Sequence, residues 1–412
     1  MNLLLINHYA GSPELGMEYR PYYMAREWVR AGHHVCIVAA SYSHVRTRQP
    51  EMTGGVSEQT IAGITYRWLA TPHYSGNGIG RARNIAYFLA RAWREAPRLA
   101  EQWRPDAVIA SSTYPMDIWV ARRIARLVRQ KPAQVVYEVH DLWPLSLVEL
   151  TGMSPRHPFV LLCQWAEHAA YRHADRVISI LPNVHAHMAD RGQDLARLTI
   201  VPNGIAPDDW STASEPLRPD VAAAIARARQ AGRAVAGYAG SMGLPNALDT
   251  LLDAAGLVKD VALTIVMVGD GHERQRLQAR VEREKISNVT MLPAIPKSQI
   301  PSFLGAIDFA YIGWQHSPIY RFGIAPNKLM DYMMGACAVL HSVEAGNDPV
   351  AESGCGLTVA PESPGAVADG LRRLSALSAE QLREMGARGR VYVLAHNSYP
   401  VLARRFVEAL KS

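Results

Sequence analysis

Short apolar runs alternate with amphipathic segments along almost the whole chain. The run LLLIN at residues 3–7 is followed by a segment at 22–31 with helical periodicity, and then by the run HHVCIVAA at 33–40. This alternation predicts strand–helix–strand units of a parallel sheet that is covered on both faces. Further runs of the same kind in the first half are DAVIAS, QVVYEV, RVISIL and LTIVPN.

The second half repeats the pattern independently. Its apolar runs are AVAGYAG, VALTIVMVG, NVTMLPA, DFAYIG, CAVLHS and GLTVA, and a helical segment follows each of them. The fold class predicted is therefore α/β, with two successive doubly wound parallel-sheet domains. A length of 412 residues fits two domains, and a stretch rich in Pro, Asp and Ser at 201–220 suits the linker between them. We accordingly expect domains at 1–206 and 207–396.

Composition narrows the class of protein. Apolar residues make up 49% of the chain, yet no apolar run approaches the roughly 18 residues of a membrane-spanning helix. The first ten residues lack a basic segment, so they predict a buried strand and not a signal peptide. The four cysteines show no CxxC spacing, which argues against a zinc site and against a disulfide scaffold. We expect a reduced, cytoplasmic protein.

The net positive charge of the chain comes entirely from its first half. Residues 1–206 hold 22 lysines and arginines against 16 acidic residues, whereas residues 207–412 hold 21 of each. Such an asymmetry suggests an anionic partner for the first half, and an ordinary solvated basic face is the alternative. No nucleic-acid-binding motif accompanies the charge, so a membrane surface is favoured over nucleic acid.

Residues 79–104 concentrate this charge, with six arginines and two glutamates. Helical spacing predicts one apolar stripe that packs on the sheet and an arginine face that meets anionic lipid on the inner side of the cell membrane. Pro97 is expected to kink or end the helix. The stripe comprises Ile85, Phe88, Leu89 and Ala92, and the arginine face comprises Arg91, Arg94 and Arg98.

Three places at predicted strand ends could carry chemistry. The turn at 240–243 leads from a strand into a helix and could cradle a diphosphate, although tight turns also use glycine for steric reasons. Lys328 and Asp331 are three residues apart on one helix, so they could hold a phosphate and a ribose hydroxyl, or form a surface ion pair. His140 follows the strand QVVYEV and could contact a ligand, or be a packed histidine.

Missing motifs also discriminate between functions. The sequence has no two aspartates spaced two apart, no GxxxxGK[ST] and no GxSxG. The first absence removes the Asp-x-Asp with which many sugar transferases hold a divalent metal. Metal-free chemistry on a nucleotide-linked substrate is the best remaining fit.

Taken together, the motifs resemble those of family 4 glycosyltransferases, in particular the bacterial branch that builds O-antigen, capsule or exopolysaccharide. The resemblance runs from about residue 2 to residue 400. It is carried in order by INHYAGSPELGMEYR, VVYEVHDLWP, ADRVISILPN, VPNGI, GYAGSMG, VGDG and APNKLMDYMMGACAVLHS.

The resemblance implies two Rossmann-like domains that face a central cleft, the GT-B architecture. The second domain would hold a nucleoside-diphosphate sugar and the first would hold the acceptor. The segment 397–412 would contain a helix that crosses back to the first domain. It also implies transfer with retention of the anomeric configuration and without a metal or other cofactor.

Individual roles follow from the same resemblance. His140 matches the histidine that contacts the transferred sugar, and Gly16 matches a glycine that faces the donor phosphates and acceptor. Asp331 matches the second acidic residue of the Glu-x7-Glu motif, which binds the ribose. The base would be contacted by backbone near Ile295. The diphosphate would lie at the turn formed by Gly240, Ser241, Met242, Gly243 and Asn246.

The sequence departs from the family pattern in two places that concern the donor. The first acidic position of Glu-x7-Glu is Gly323, which leaves the donor sugar open. Ser241 and Asn246 replace the usual arginine and lysine near the diphosphate. Lys328 is expected to restore a charge beside the pyrophosphate and to act with His140 as a catalytic residue.

The predicted activity is a retaining, metal-independent transfer of a hexosyl or acetamidosugar group from a nucleoside-diphosphate sugar, with UDP favoured over GDP. The expected acceptor is a polyprenyl-diphosphate-linked saccharide in cell-surface polysaccharide synthesis. The expected location is peripheral, on the inner face of the membrane. A nucleotide-sugar epimerase and a non-catalytic nucleotide-sugar-binding relative are the alternatives.

Overall fold

A computed structural model describes residues 1–76, 78–129, 131–211 and 214–411. The chain divides into a first unit, Met1–Asn203 with Tyr399–Ser412, and a second unit, Gly204–Ser398. The limits expected from sequence, 206/207 and 396/397, lie two or three residues from these. Residues 212 and 213 of the predicted linker, and residue 412 of the predicted terminal segment, are outside the described residues.

The first unit contains a mainly parallel sheet, as predicted. Within the described residues it has eight strands in the order β3-β4-β2-β1-β5-β6-β7-β8. Strand β1 is central, where Leu4 pairs with Cys36 on one side and with Val108 on the other. The strands are β1 (Asn2–Ile6), β2 (His34–Ala40), β3 (Val56–Ile61), β4 (Ile64–Leu69), β5 (Ala107–Ala110), β6 (Gln134–Val139), β7 (Arg176–Ser179) and β8 (Leu198–Ile200).

Strands β3 and β4 form an antiparallel hairpin that the sequence analysis did not predict. Strand β3 lies at the edge of the sheet, and its residues 58–60 are exposed and polar. An edge strand that carries polar side chains lacks the apolar run by which the other strands were found. The sheet is therefore parallel except at this edge.

Helices cover both faces of the first sheet. Helix α2 continues through Pro97, so the helix does not end at that residue, and the kink that was the other expectation there stays a prediction. Pro97 has no N–H, so the carbonyl of Trp93, four residues earlier, loses its helical donor. Both residues are exposed, and water can replace the missing hydrogen bond. The helices are α1 (Arg20–Arg30), α2 (Ile79–Trp103), α3 (Asp117–Leu127), α4 (Leu145–Thr151), α5 (Pro158–His173) and α6 (His185–Asp190).

The apolar stripe of α2 packs inward, as predicted. Ile85, Phe88 and Ala92 are buried, and Leu89 is half-buried. Arg94 and Arg98 are exposed and Arg91 is half-buried, so the arginines lie away from the buried stripe. This confirms the two-faced character of the helix.

The second unit contains a wholly parallel sheet in the order β11-β10-β9-β12-β13-β14. Its strands are β9 (Ala234–Ala239), β10 (Leu263–Val268), β11 (Val289–Leu292), β12 (Phe309–Gly313), β13 (Ala338–Ser342) and β14 (Gly356–Val359). Its helices are α7 (Pro219–Gln230), α8 (Leu248–Leu257), α9 (Arg274–Arg283), α10 (Ile300–Ala306), α11 (Asn327–Met334), α12 (Pro349–Ser353), α13 (Pro364–Ser375) and α14 (Ala379–His396).

The last helix, α15 (Tyr399–Lys411), packs against α1 and completes the first unit. The ring of Tyr399 stacks on Tyr23 at 4.9 Å, and Phe406 meets Trp28 edge-on at 5.0 Å. The indole N–H of Trp28 donates to the carbonyl of Ala403 at 3.2 Å. The first unit is thus built from two separate parts of the chain.

All four cysteines are free and buried. In the part of the chain that the structure describes, no helix is both long and apolar enough to cross a membrane. The described residues also contain no group of three or more His, Cys, Asp or Glu side chains that could hold a metal ion.

Candidate active site

Polar side chains are buried together where β1, β5 and β6 end. In a doubly wound sheet the order of strands reverses at such a point, and ligands bind at the carboxyl ends of the strands there. Burial of polar groups is costly unless they are paired, so a concentration of them marks a functional edge. The group comprises Asn7, His8, Ser111, Ser112, Glu138 and His140.

His140 is held by two partners at this edge. Its Nε2 lies 3.0 Å from the hydroxyl of Ser111 and 3.3 Å from Oε2 of Glu138. The Ser111 hydroxyl itself donates to the same Glu138 oxygen at 2.6 Å. A carboxylate beside Nε2 favours a proton on that nitrogen, which leaves Nδ1 as the acceptor of the neutral ring. His140 is thus fixed in orientation and tautomer by Glu138.

Glu138 is ionised although it is buried. Burial opposes its charge, but Arg20 and then His140 outweigh burial and hold the pKa of Glu138 well below its ordinary value. Arg20 donates to Oε1 from Nε at 3.0 Å and from Nη2 at 2.8 Å. Arg20 also donates to the carbonyls of Val201 and Pro202, which fixes the guanidinium plane. The sequence analysis named His140 but neither Glu138, Ser111 nor Arg20.

Two neighbours of His140 differ in character. Asp141 is exposed at the surface, but desolvation of its carboxyl group raises its pKa to about 6; the charge of His140 opposes this rise and that of Glu18 adds to it. His8 is fully buried, which lowers its pKa to about 3, and its two ring nitrogens contact Tyr114 Oη and Asn84 Oδ1, each at 2.6 Å. His8 is therefore neutral and committed to structure.

Gly16 lies in a buried turn of the first unit. Its φ is +101°, and a Cβ there would come within 2.8 Å of the backbone nitrogen of Thr47. Both facts require glycine for reasons of backbone conformation and packing. The contact of Gly16 with donor phosphates stays a prediction.

The turn after β9 brings Gly240 against Lys328. A Cβ on Gly240, whose φ is +151°, would lie 3.3 Å from Cε and 3.4 Å from Nζ of Lys328. The Lys328 ammonium donates to the hydroxyl of Tyr238 at 3.0 Å and also to Oδ1 of Asn246. Glycine at 240 thus admits a lysine from α11 to the predicted diphosphate turn.

The hydrogen-bond partners that the structure shows for Lys328 are all uncharged. Burial lowers the pKa of the Lys328 ammonium to about 7. The Tyr238 ring adds a cation–π contact, with Nζ 4.8 Å from the ring centroid. A half-buried cation without a carboxylate beside it is a position for an anionic ligand.

The rest of the turn is held by its own hydrogen bonds. The carbonyl of Ser241 accepts from Tyr238 Oη at 2.5 Å and from Asn246 Nδ2 at 3.0 Å. Met242 is buried in the core, and its N–H donates to the carbonyl of Asp270. Gly243 is buried, and a Cβ there would lie 3.3 Å from the His272 ring. Met242 therefore shapes the turn through packing, whereas Ser241 is exposed.

Asp331 is half-buried at the other end of the same region. Burial raises its pKa to about 6; Lys297 opposes this rise and Asp209 adds to it. Lys297 comes two residues after Ile295, which is half-buried against the core of the second unit. The carbonyl of Ala294 accepts from Arg218 at 2.8 Å. The charge of Lys297, two residues beyond the segment predicted to contact the base, thus acts on Asp331.

The position of the missing glutamate is a turn that requires glycine. Gly323 has a φ of +98°, a conformation that residues other than glycine rarely adopt. The next residue, Ile324, is clamped by the Asn347 side chain, which accepts from its N–H at 2.7 Å and donates to its carbonyl at 3.1 Å. No residue from 317 to 330 is a carboxylate, so this loop offers backbone and Lys328 in place of the glutamate.

Two protein-family models match the chain. Residues 16–204 match the model of the glycosyl transferase 4-like domain, and residues 233–376 match that of the glycosyl transferases group 1. No curated protein sequence matches the chain.

Solved structures share the fold over the whole chain. Sucrose-phosphate synthase from Thermosynechococcus elongatus is 18% identical, with a TM-score of 0.72 over 99% of this chain and 98% of that one. Anabaena HepE, in complex with UDP and glucose, is 14% identical, with a TM-score of 0.67 over 100% of both chains. An E. coli structure described as trehalose-6-phosphate bound with UDP-2-fluoro glucose is 13% identical, with a TM-score of 0.69 over 100% of this chain and 99% of that one.

Two parallel-sheet α/β units of this kind define the GT-B class of glycosyltransferases. The two family models together place the chain more narrowly: it belongs to the family 4 glycosyltransferases.

Proposed function

We propose that the protein transfers a sugar, with retention and without a metal, from a nucleoside-diphosphate sugar to a lipid-linked saccharide in bacterial cell-surface polysaccharide synthesis. UDP is the favoured nucleotide, because structures of the same fold hold UDP or a UDP-sugar. The observation that carries the proposal is Lys328, a half-buried cation placed against the Gly240 turn with no carboxylate among its contacts.

Donor binding would use Lys328 and Asp331, which lie about one turn apart on helix α11. The Lys328 ammonium would pair with the diphosphate, which replaces its uncharged contacts by an anion and offsets the cost of burying the charge. Asp331, three residues on, would accept hydrogen bonds from the ribose hydroxyls. The same lysine would stabilise the charge that develops on the leaving diphosphate as the glycosidic bond breaks.

His140 would orient the transferred sugar. With Nε2 committed to Glu138 and Ser111, Nδ1 is the ring atom that can accept a hydrogen bond from a sugar hydroxyl. The buried pair of Glu138 and Arg20 keeps the ring in this orientation before substrate arrives, and such preorganisation is a main source of catalytic power. The first unit would thus supply a rigid contact to the sugar.

Donor specificity is tested by thermal unfolding of the full chain with UDP, GDP, ADP and their sugars. A ligand that binds only the folded state raises the unfolding temperature by mass action. We expect the largest rise with UDP or a UDP-sugar, and a smaller rise for Asp331→Ala. The exposed Asp260→Ala is the matched control and should behave as the parent. No rise with any nucleotide would contradict the proposal.

Transfer is tested with a UDP-sugar panel and a synthetic lipid-diphosphate saccharide, with the anomeric configuration read by NMR. We expect an α-linked donor to give an α-linked product, at a rate unchanged by EDTA. An inverted product or loss of rate in EDTA would contradict those parts of the proposal. Conversion of the nucleotide sugar without acceptor would identify an epimerase, and binding without turnover would identify a non-catalytic relative.

Attachment to the inner membrane surface would use the arginine face of α2. Arg94 and Arg98 are exposed, and the nearby Glu95 is already shared by Arg67 at 2.8 Å and Arg98 at 3.4 Å. Each basic residue near an anionic surface contributes about 1 kcal/mol. Sedimentation with vesicles should increase with anionic lipid and fall with salt. Changing Arg91, Arg94 and Arg98 to Glu should reduce it, and equal binding by that variant would overturn this part.

A further inference from the structure

A groove opens on the first unit between helices α2, α3 and α5. Its volume is about 740 Å³, within the range of about 300–1,000 Å³ typical of small-molecule sites. Three of its lining residues are tryptophans, one from each helix. The apolar lining is formed chiefly by Leu89, Trp93, Met116, Trp119, Leu127 and Trp165.

The apolar side chains of this groove are unusually exposed. Trp165 is 65% exposed, Trp93 is 43% and Leu127 is 42%. Leu161 and Leu162, one turn before Trp165 on α5, are 50% and 40% exposed. Isolated exposed apolar residues are ordinary, but a contiguous set that lines a concave surface marks a binding site for an apolar group.

Arginines form the rest of the lining. Arg123 places its guanidinium 4.5 Å from the ring centroid of Trp93, and Arg122 and Arg126 lie on the same helix. The pKa of nearby His173 is lowered by burial and then by the charges of Arg122, Arg172 and Arg126. None of the lining residues, all of which lie in the described part of the chain, is a carboxylate. The groove therefore suits a ligand that combines an apolar chain with negative charge.

Apolar residues of the groove and apolar residues near His140 pack on one buried cluster. Trp143, three residues after His140, meets Phe159 edge-on at 5.9 Å. Both pack on the small cluster that contains Tyr114 and Met116, and so do Leu89 and Trp119 of the groove. The Trp119 ring lies 4.7 Å from that of Trp165. The groove and the sequence segment that follows His140 are thus joined through the same apolar packing.

We infer that this groove binds the hydrocarbon chain of a lipid phosphate, an isoprenoid or acyl chain whose phosphate meets the arginines. The inference rests on the proposed function for the identity of the acceptor, but the binding itself does not need a donor. The charge of the lining decides the class of ligand, because an uncharged lipid would leave three arginines without a counter-charge.

Binding of farnesyl phosphate to the full chain tests the inference, read by tryptophan fluorescence and calorimetry. We expect saturable binding, with inorganic phosphate and farnesol each binding at least tenfold more weakly. Trp165→Ser should lower the affinity for farnesyl phosphate at least fivefold. Arg126→Glu should also lower it, and by more in low salt than in high salt. Leu195→Ala, an exposed leucine outside the groove, should bind as the parent does.

The variants separate this inference from the proposed function. Trp165 and Arg126 are not among the residues proposed to hold the donor, so the rise in unfolding temperature with UDP should be unchanged in both. If the parent responds to UDP but not to farnesyl phosphate, the groove inference fails and the proposed donor site stands. If farnesyl phosphate binds equally to Trp165→Ser, or if only anionic vesicles bind, the groove is not a chain site.

Discussion

Each unit has one ionisable group inside its candidate site, but the surroundings of the two charges are opposite: one is paired with a counter-charge and the other is not. In the first unit, Glu138 is paired with Arg20 and bonded by Ser111, so its pKa is held far below the ordinary value. In the second unit, Lys328 contacts a phenol and an amide, and its pKa falls to about 7.

This difference separates two tasks. A buried charge that is paired with a counter-charge destabilises the fold little and can hold a neighbouring side chain rigidly. This suits the orientation of His140. An uncompensated charge is costly in the empty protein and is relieved when an anion arrives, which suits binding. Substitutions in the first site should therefore damage stability or rate, whereas substitutions in the second should damage donor binding or turnover and change stability little.

The largest effect is expected for His140→Ala. Loss of the oriented imidazole should lower turnover by about 10²- to 10⁴-fold, the range for a positioned acid, base or hydrogen-bonding group. Circular dichroism and the unfolding temperature should stay close to those of the parent. The exposed His168→Ala is the control. Unfolding of His140→Ala would show that the histidine serves only packing.

Arg20→Met should be the most destabilising single change in the first site. It leaves Glu138 buried without its counter-charge, and breaking such a pair costs about 3–5 kcal/mol of unfolding free energy. Denaturant titration would measure the loss. Arg30 lies on the same helix, and its side chain is half exposed. Arg30→Met should therefore lower the unfolding free energy by less than about 1 kcal/mol. Equal losses for the two variants would refute the compensated-charge account.

Lys328→Ala should lower turnover about a hundredfold, because it removes one group that stabilises the leaving diphosphate. Its unfolding free energy should equal or exceed that of the parent, since no buried anion is left unpaired. The exposed Lys259→Ala is the matched control for both measurements. A marked loss of stability in Lys328→Ala would show that the charge is compensated after all.

Nucleotide affinity should depend on pH through Lys328. Its pKa of about 7 in the empty site must rise when the diphosphate binds, so binding takes up a proton. Affinity is then highest below pH 7 and falls by up to tenfold per pH unit above it, until the raised pKa is passed. Calorimetry from pH 7.5 to 9.5 would measure the slope. Lys328→Arg should flatten it, because arginine stays charged throughout.

The smallest effect is expected for Tyr238→Phe, which removes one acceptor of the Lys328 ammonium. The variant loses that hydrogen bond and the one from the phenol to the Ser241 carbonyl, each contributing about 1 kcal/mol to stability. It should also lower the pKa of Lys328 further and so move the onset of the pH dependence below that of the parent. An onset that stays where it was would mean that the phenol does not affect the lysine.

Most of the fold could be predicted because its strands are buried on both faces and appear as apolar runs. The hairpin of β3 and β4 was not predicted because β3 is a polar edge strand. The helix does not end at Pro97, which was one of the two expectations there, because an exposed helix position tolerates a missing N–H.

Fewer of the site residues could be predicted from the sequence. Glu138 left a usable signal, since it stands two residues before His140 in an apolar strand, and residues two apart share a face. Arg20 left none, because it lies 118 residues from Glu138 along the chain and only the fold brings the two together.

Helix α15 also determines the order in which a ribosome can complete the two units. Residues 204–398 of the second unit are contiguous, so that unit can fold as soon as they emerge. The first unit has to wait for residues 399–411, and until then Trp28 lacks Phe406 and the carbonyl of Ala403. During that interval the apolar side of α1 is open to water, a state that favours aggregation. The unit that is synthesised first is the one that is finished last.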